Sequence, residues 1–244
     1  MSRPFLIALQ FLTRLPIRLS DVPDDAAIGR SVLYYPLVGL LIGLLLTGLA
    51  TLFAWHAPPL LAAALLLVSW ILVSGALHLD GLADSADAWI GGHGDRERTM
   101  AIMKDPYCGP VGVAAVVSVL LVKFGAIAAL AGTANHAGIL LAPLLGRAAL
   151  PLLFLTTPYV RPNGLGAAMS ARLPRKGALA VVVGIAIAIA IAFGARGLRP
   201  VAAALAIFFL LRRAMLGRIG GMTGDTAGAM VELIEAAAIA AAAM

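Results

Sequence analysis

The chain has 244 residues and a formal net charge of +6, with 61% hydrophobic and only 12% charged residues. Ordinary soluble domains carry about 45–50% and about 25%. Thirty charges cannot coat a globule of 25.0 kDa, which excludes a water-soluble fold and points to a membrane-embedded protein. The single cysteine, Cys108, excludes an internal disulfide and a paired-cysteine zinc site. The pI near 10.1 comes without a basic run interleaved with aromatics, so nucleic acid is not an expected partner.

The N-terminal stretch 5–12 is short and apolar, and Arg14, Pro16 and Arg18 follow it. It lacks a signal-peptide cleavage pattern and is expected to lie along the membrane surface. Uncharged runs then cover residues 32–55, 60–77 and 178–195, while 111–132 and 137–160 each carry one cation, Lys123 and Arg147. Each is long enough for the roughly 17–25 residues that a membrane crossing takes. Residues 226–244 add a candidate that holds Glu232 and Glu235. Residues 200–211 are doubtful, because twelve residues rise only about 18 Å and would span only if Arg199 and Arg212 snorkelled outward. The expectation is an all-α, polytopic transmembrane helical bundle of about seven segments, six to eight, forming one integral-membrane domain over 1–244.

With seven crossings and a cytoplasmic N-terminus, fourteen of the eighteen Lys and Arg fall in four segments on one side: 1–31, 78–110, 161–177 and 212–225. Only Arg196 and Arg199 lie on the other side, which includes the turn near Thr133. That bias orients the chain with those segments in the cytoplasm. Ten of the twelve acids share the same side, and the positive-inside rule does not explain their placement.

The densest acidic block reads His78-Leu79-Asp80-Gly81-Leu82-Ala83-Asp84-Ser85-Ala86-Asp87. On a helix, steps of four and seven residues put the three aspartates on one face about 60° wide. Unneutralised, they would repel one another. Carboxylates without Cys or paired His suit a hard divalent ion, and Mg²⁺ is usually held by a few carboxylates plus substrate phosphates. A solvated first turn of a helix is the plainer alternative, yet a cap does not need three acids on one face. His78 either orients Asp80 or sits at the interface.

Downstream, Gly91 and Gly92 open a turn, Gly91-Gly92-His93-Gly94, and Asp95-Arg96-Glu97-Arg98 opens a short helix ending near Lys104. The turn is either a plain connector or a place where amides approach a phosphate, with Arg96, Arg98 and Lys104 adding charge. His93 is expected to be a polar loop residue. A second acidic element begins at Gly220-Gly221-Met222-Thr223-Gly224-Asp225 and places Glu232 seven residues after Asp225. Asp225 is either a helix N-cap or part of the site. Glu232 and Arg147 are costly within apolar helices and are expected to face an interior site or each other; the role of Glu235 is open.

Two carboxylate-bearing helices near basic groups describe metal-dependent phosphoryl or phosphodiester transfer. Nothing supports a nucleophilic alternative, since no Gly-x-Ser-x-Gly elbow occurs. A transporter would also carry buried charges, but these carboxylates gather at one interface and the halves show no repeat.

The segments Phe5-Leu6-Ile7-Ala8-Leu9-Gln10-Phe11-Leu12-Thr13-Arg14-Leu15-Pro16, Tyr35-Pro36-Leu37-Val38-Gly39, the aspartate block and 220–225 together resemble the adenosylcobinamide-GDP ribazoletransferase (cobalamin synthase) family. The aspartates are also similar to those of CDP-alcohol phosphotransferases, whose closing Gly-x-x-x-Asp-x-x-x-Asp is absent. The first resemblance implies a multi-pass enzyme of the bacterial inner membrane, embedded in the lipid bilayer, with a catalytic loop at about 78–110 facing the cytoplasm. It implies Mg²⁺ as cofactor, and adenosylcobinamide-GDP and α-ribazole, or its 5′-phosphate, as substrates. Adenosylcobalamin, or its 5′-phosphate, and GMP would be the products of this late step in vitamin B12 biosynthesis. Asp80, Asp84, Asp87 and Asp225 would hold the metal. Asp80, Asp84 and Asp87 would be catalytic, with Asp87 the candidate base; Arg96, Lys104, Arg147, Gly91 and Gly92 would bind substrate. The oligomeric state is open, a homo-oligomer included.

Overall fold

A computed structural model describes residues 2–19, 21–131, 136–162 and 165–244. Its elements are α1 (Arg3–Leu12), α2 (Asp25–Ser31), a 3-10 turn at Val32–Tyr34, α3 (Tyr35–His56), α4 (Pro59–Ser74), α5 (Leu77–Gly91) and α6 (Arg96–Ile102). There follow α7 (Pro110–Leu130), α8 (Ala137–Thr156), α9 (Leu165–Ala171), α10 (Arg175–Phe193), α11 (Ala195–Ile219) and α12 (Gly224–Ala243). Among the described residues, six helices are long and apolar enough to cross a membrane, and a seventh span arises if α4 and α5 count as one bent pair. The bundle agrees with the expected all-α membrane architecture.

Two segments differ from the uncharged runs. The 60–77 run stops as a helix at Ser74, and α5 turns 89° away from α4. The break is set by Gly75 and Ala76, both left-handed at φ 66° and 56°. Glycine adopts that conformation freely, as at many helix C-termini. The doubtful 200–211 run, by contrast, sits inside the 25-residue α11. A helix of that length extends about 38 Å, so the run was short only because the flanking arginines belong to the same helix. The turn near Thr133 lies outside the described residues.

α3, α8 and α12 form the centre. Gly39 and Gly43 are four apart on α3, and a Cβ on either would meet an α8 backbone oxygen, of Pro143 or Leu140, at 2.5 Å. Small residues at this spacing let two membrane helices approach closely. The helix ends alternate between two sides of the bundle. Tyr35, Asp80, Phe154 and Asp225 line one cavity, which brings together the starts of α3, α5 and α12 and the end of α8. Thr47 within α3, His136 just before α8, Phe193 at the end of α10 and Arg196 at the start of α11 line another, at the opposite end of α8.

Candidate active site

α5 starts directly after the Gly75-Ala76 break, beside which the Arg14 backbone N–H donates a hydrogen bond to the Val73 carbonyl at 2.8 Å. Only Asp80 falls in the first turn of α5, so a helix-start role cannot account for Asp84 and Asp87. Asp80 is exposed, while Asp84 and Asp87 are half-buried. α5 is not among the single spanning helices, and its carboxylates feel one another. Burial first, then the charges of Asp80, Asp225 and Asp87, push the Asp84 carboxyl up to about 6, with Arg161 pulling the other way. Like charges held together in this way make a site that attracts a cation.

Asp87 has a separate task. Its Oδ2 accepts from the Gly109 amide at 2.7 Å and its Oδ1 from the Gly112 amide at 2.9 Å. It therefore caps the N-terminus of α7 from another helix, satisfying amides that α7 leaves unpaired. Glycine lets the carboxylate come this close, because a Cβ at Gly109 or Gly112 would lie 2.5 Å from an Asp87 oxygen.

Asp225 arrives from α12. The N-cap of α12 is Thr223, whose hydroxyl accepts from the Thr226 amide in a reciprocal capping box. The expected alternative role of Asp225 as N-cap is thereby taken by Thr223, and the Asp225 carboxylate is available elsewhere. Its backbone packs on α5: a Cβ on Gly81 would meet the Asp225 carbonyl oxygen at 2.7 Å. The side chain accepts from Arg161 at 2.7 Å. Arg161 was one loop cation among fourteen in the sequence, and no motif marked it. A short backbone bridge positions it, with Val160 N donating to Met222 O at 3.0 Å and Met222 N to Pro158 O at 2.8 Å.

Asp80, Asp225 and His78 line a cavity of about 170 Å³ together with aromatic residues. Among the described residues, no three His, Cys, Asp or Glu side chains come close enough to hold a metal ion alone. The expected four-aspartate ligand set is thus not a preformed cage, since both Asp87 oxygens bind amides and Asp225 binds Arg161. The donors are nonetheless hard oxygens, and Mg²⁺ needs only one or two carboxylates when phosphates supply the rest. The residues fit an ion that arrives with a phosphate.

Arg96 and Lys104 are exposed on and just after α6, and neither forms an ion pair among the described residues. Asp95 caps α6 by accepting from the Arg98 amide at 2.6 Å. Gly91 ends α5. A Cβ at Gly92 would lie 2.1 Å from Thr99 Oγ1, so close helix packing accounts for that glycine. Thr223 Oγ1 lies 3.2 Å from Met103 Sδ, which ties this segment to the start of α12. His93 is an exposed loop residue, as expected.

Arg147 belongs to another group. It is fully buried and paired with Glu235, while Lys123 contacts Glu232 at 2.6 Å and Glu235 at 2.5 Å. Arg147 also reaches His78 Nδ1 at 3.4 Å, and Lys123 stands 4.5 Å over the Trp70 ring. Two cations and two carboxylates from α7, α8 and α12 neutralise one another inside the bundle. Arg147 is engaged with Glu235 rather than with the aspartates, and its direct partner is not Glu232.

Comparison with known proteins supplies the family. The cobalamin-5-phosphate synthase model matches residues 4–243. A protein of Pseudomonas paraeruginosa named adenosylcobinamide-GDP ribazoletransferase is 58% identical over 98% of this chain and 97% of its own length. One of the same name from Pseudomonas aeruginosa is 58% identical over 99% and 98%, and one from Stutzerimonas stutzeri 57% identical over 97% and 96%. No solved structure matches. With nearly every residue inside the match, the chain belongs to the cobalamin-5-phosphate synthase family.

Proposed function

We propose that this multi-pass membrane protein joins adenosylcobinamide-GDP to α-ribazole, or its 5′-phosphate, giving adenosylcobalamin, or its 5′-phosphate, and GMP. The observation that carries this reading is the meeting of Asp225 on α12 with the α5 aspartate face beside Arg161. The 3′-hydroxyl of the nucleoside attacks the phosphorus that bears the cobinamide arm. The bond from that phosphorus to the bridging oxygen breaks, and GMP leaves. Asp80 and Asp225, which face the cavity, would hold Mg²⁺ with the substrate phosphates. When bound, Mg²⁺ supplies neutralisation of charge on the transferred phosphate.

Arg161 fixes Asp225, and Asp87 holds the start of α7. Asp84, raised to about 6, is matched to take the proton of the attacking hydroxyl. Exposed Arg96 and Lys104 offer charge to the departing GMP. The bias of basic residues orients the site toward the cytoplasm of a bacterial inner membrane.

Purified protein in lipid vesicles, given both substrates and Mg²⁺, should release GMP and adenosylcobalamin in equal amounts. EDTA should stop turnover and added Mg²⁺ should restore it. No GMP release from well-folded protein would refute the reading, and full turnover in EDTA would remove the metal from it.

A further inference from the structure

We infer that the cavity beside Asp80 and Asp225 is the subsite for the benzimidazole base of the nucleoside acceptor, with His78 donating a hydrogen bond to the free ring nitrogen. This inference rests on the proposed function and goes beyond the aspartates to how one substrate is recognised.

The cavity of about 170 Å³ is close to the roughly 150 Å³ that admits a benzene ring. Phe11, Tyr35, Leu150, Phe154 and Met169 form much of its wall. The Phe11 and Tyr35 rings stack with centroids 6.2 Å apart. Of its lining residues, Asp80 is exposed, while Tyr35 and His78 are buried, and we take the buried pair as the deep end. A base seated in the deep end leaves its ribose toward the carboxylates, where the attacking hydroxyl is needed.

Polarity selects between the two bases of the reaction. Guanine carries donors and acceptors around its edge, and burying them against Phe and Leu would leave several unpaired. A dimethylbenzimidazole joined to ribose has one free polar atom, an acceptor nitrogen. Arg147 can only donate, so its contact with His78 Nδ1 at 3.4 Å makes Nδ1 the acceptor and leaves the hydrogen on Nε2. The buried ion network thereby presents His78 as a donor, which is what that one nitrogen requires.

Two comparisons test this. In the wild type, free 5,6-dimethylbenzimidazole should inhibit competitively against α-ribazole and not against adenosylcobinamide-GDP, while guanine should not compete with α-ribazole. Ala227→Val narrows the cavity by its α12 wall. It should raise the KM for α-ribazole about tenfold, the scale of a methyl-sized misfit in an apolar pocket. The KM for adenosylcobinamide-GDP should stay within about twofold, and the unmethylated benzimidazole riboside should restore the loss. His78→Leu should raise the same KM, and His78→Gln, which keeps a donor, should raise it less. Competition by the free base against adenosylcobinamide-GDP instead, or loss in Ala227→Val that ignores the methyl groups, would overturn the subsite. Those results require a wild type that turns over; a wild type without turnover would overturn the functional reading itself.

Discussion

Arg161 and Asp225 are joined at 2.7 Å although 64 positions separate them in the chain. The bond links the segment after α8 to the first turn of α12, and both side chains keep about a fifth of their surface open. Arg161 acts through Asp225, as groups that orient a metal ligand do. Arg161→Gln should therefore lower turnover about 10–100-fold and shift the Mg²⁺ dependence to higher concentration. Arg161→Lys should recover part of the loss. Turnover measured across a Mg²⁺ titration decides it, and an unchanged Mg²⁺ midpoint would argue against a positioning role.

The crowding on α5 has opposite consequences for stability and for activity. The Asp84 carboxyl rises from its usual 3.8 to about 6, so the folded protein holds this proton more tightly than the unfolded chain. The contribution is full below pH about 4 and is lost as pH rises through about 6. In EDTA, Asp84→Asn should melt at a higher temperature than the wild type at pH 8, and the gap should close on acidification to pH 4. Its turnover should fall by orders of magnitude. A variant that melts lower at every pH would contradict the charge repulsion.

Asp87 should behave differently from its neighbours on the same helix face. Asp87→Ala leaves the Gly109 and Gly112 amides unpaired at the start of α7, a loss of about 0.5–2 kcal/mol for a cap. Its melting temperature should fall at pH 8, where that of Asp84→Asn rises. Side-by-side thermal melts in EDTA separate the two roles, and matching shifts would show that Asp87 shares the role of Asp84.

The buried network should rank its own members. Glu235 meets both Arg147 and Lys123, whereas Glu232 meets Lys123 alone. Removing one partner of a buried pair typically costs about 3–5 kcal/mol. Glu235→Gln should reduce folded yield more than Glu232→Gln, and the double change Lys123→Met with Glu232→Gln should cost less than the two singles together. Yield in vesicles and thermal melts provide the comparison, and additive losses would mean that Lys123 and Glu232 are not coupled.

Reporters fused after Lys104 and after Arg218 should fall on one side of the membrane, because both segments lie at the aspartate end of the bundle. Opposite readings at the two positions would separate Asp225 from Asp80 and dismantle the site.

Much of this was legible in the sequence, for reasons tied to particular residues. The aspartate face follows from helical periodicity alone. The end of α4 did not, because Gly75 and the left-handed Ala76 fall inside the uncharged 60–77 run, and a count of charges passes over both. α11 was obscured because Arg199, Arg212, Arg213 and Arg218 lie within the helix, so a count of uncharged residues underestimates it. Partners distant in sequence were the least visible. Lys123 meets carboxylates 109 and 112 positions away, and a lone cation in an apolar run does not reveal which acid will meet it. Asp87 shows the same limit, since spacing places it on the shared face while only the fold shows its oxygens turned to Gly109 and Gly112.

The Lys123 and Arg147 pairs also set an order on biosynthesis. Both cations enter the bilayer on α7 and α8, and their carboxylates come from α12, which is made after both. A central cation costs about 2.5–3.5 kcal/mol during insertion, and α7 and α8 carry that penalty until α12 emerges. A nascent chain halted before Asp225 holds two unmatched positive charges in lipid and lacks a carboxylate at the aspartate face. Completion of α12 settles both debts at once, so a copy cut before it is an unstable guest of the membrane before it can be a partial enzyme.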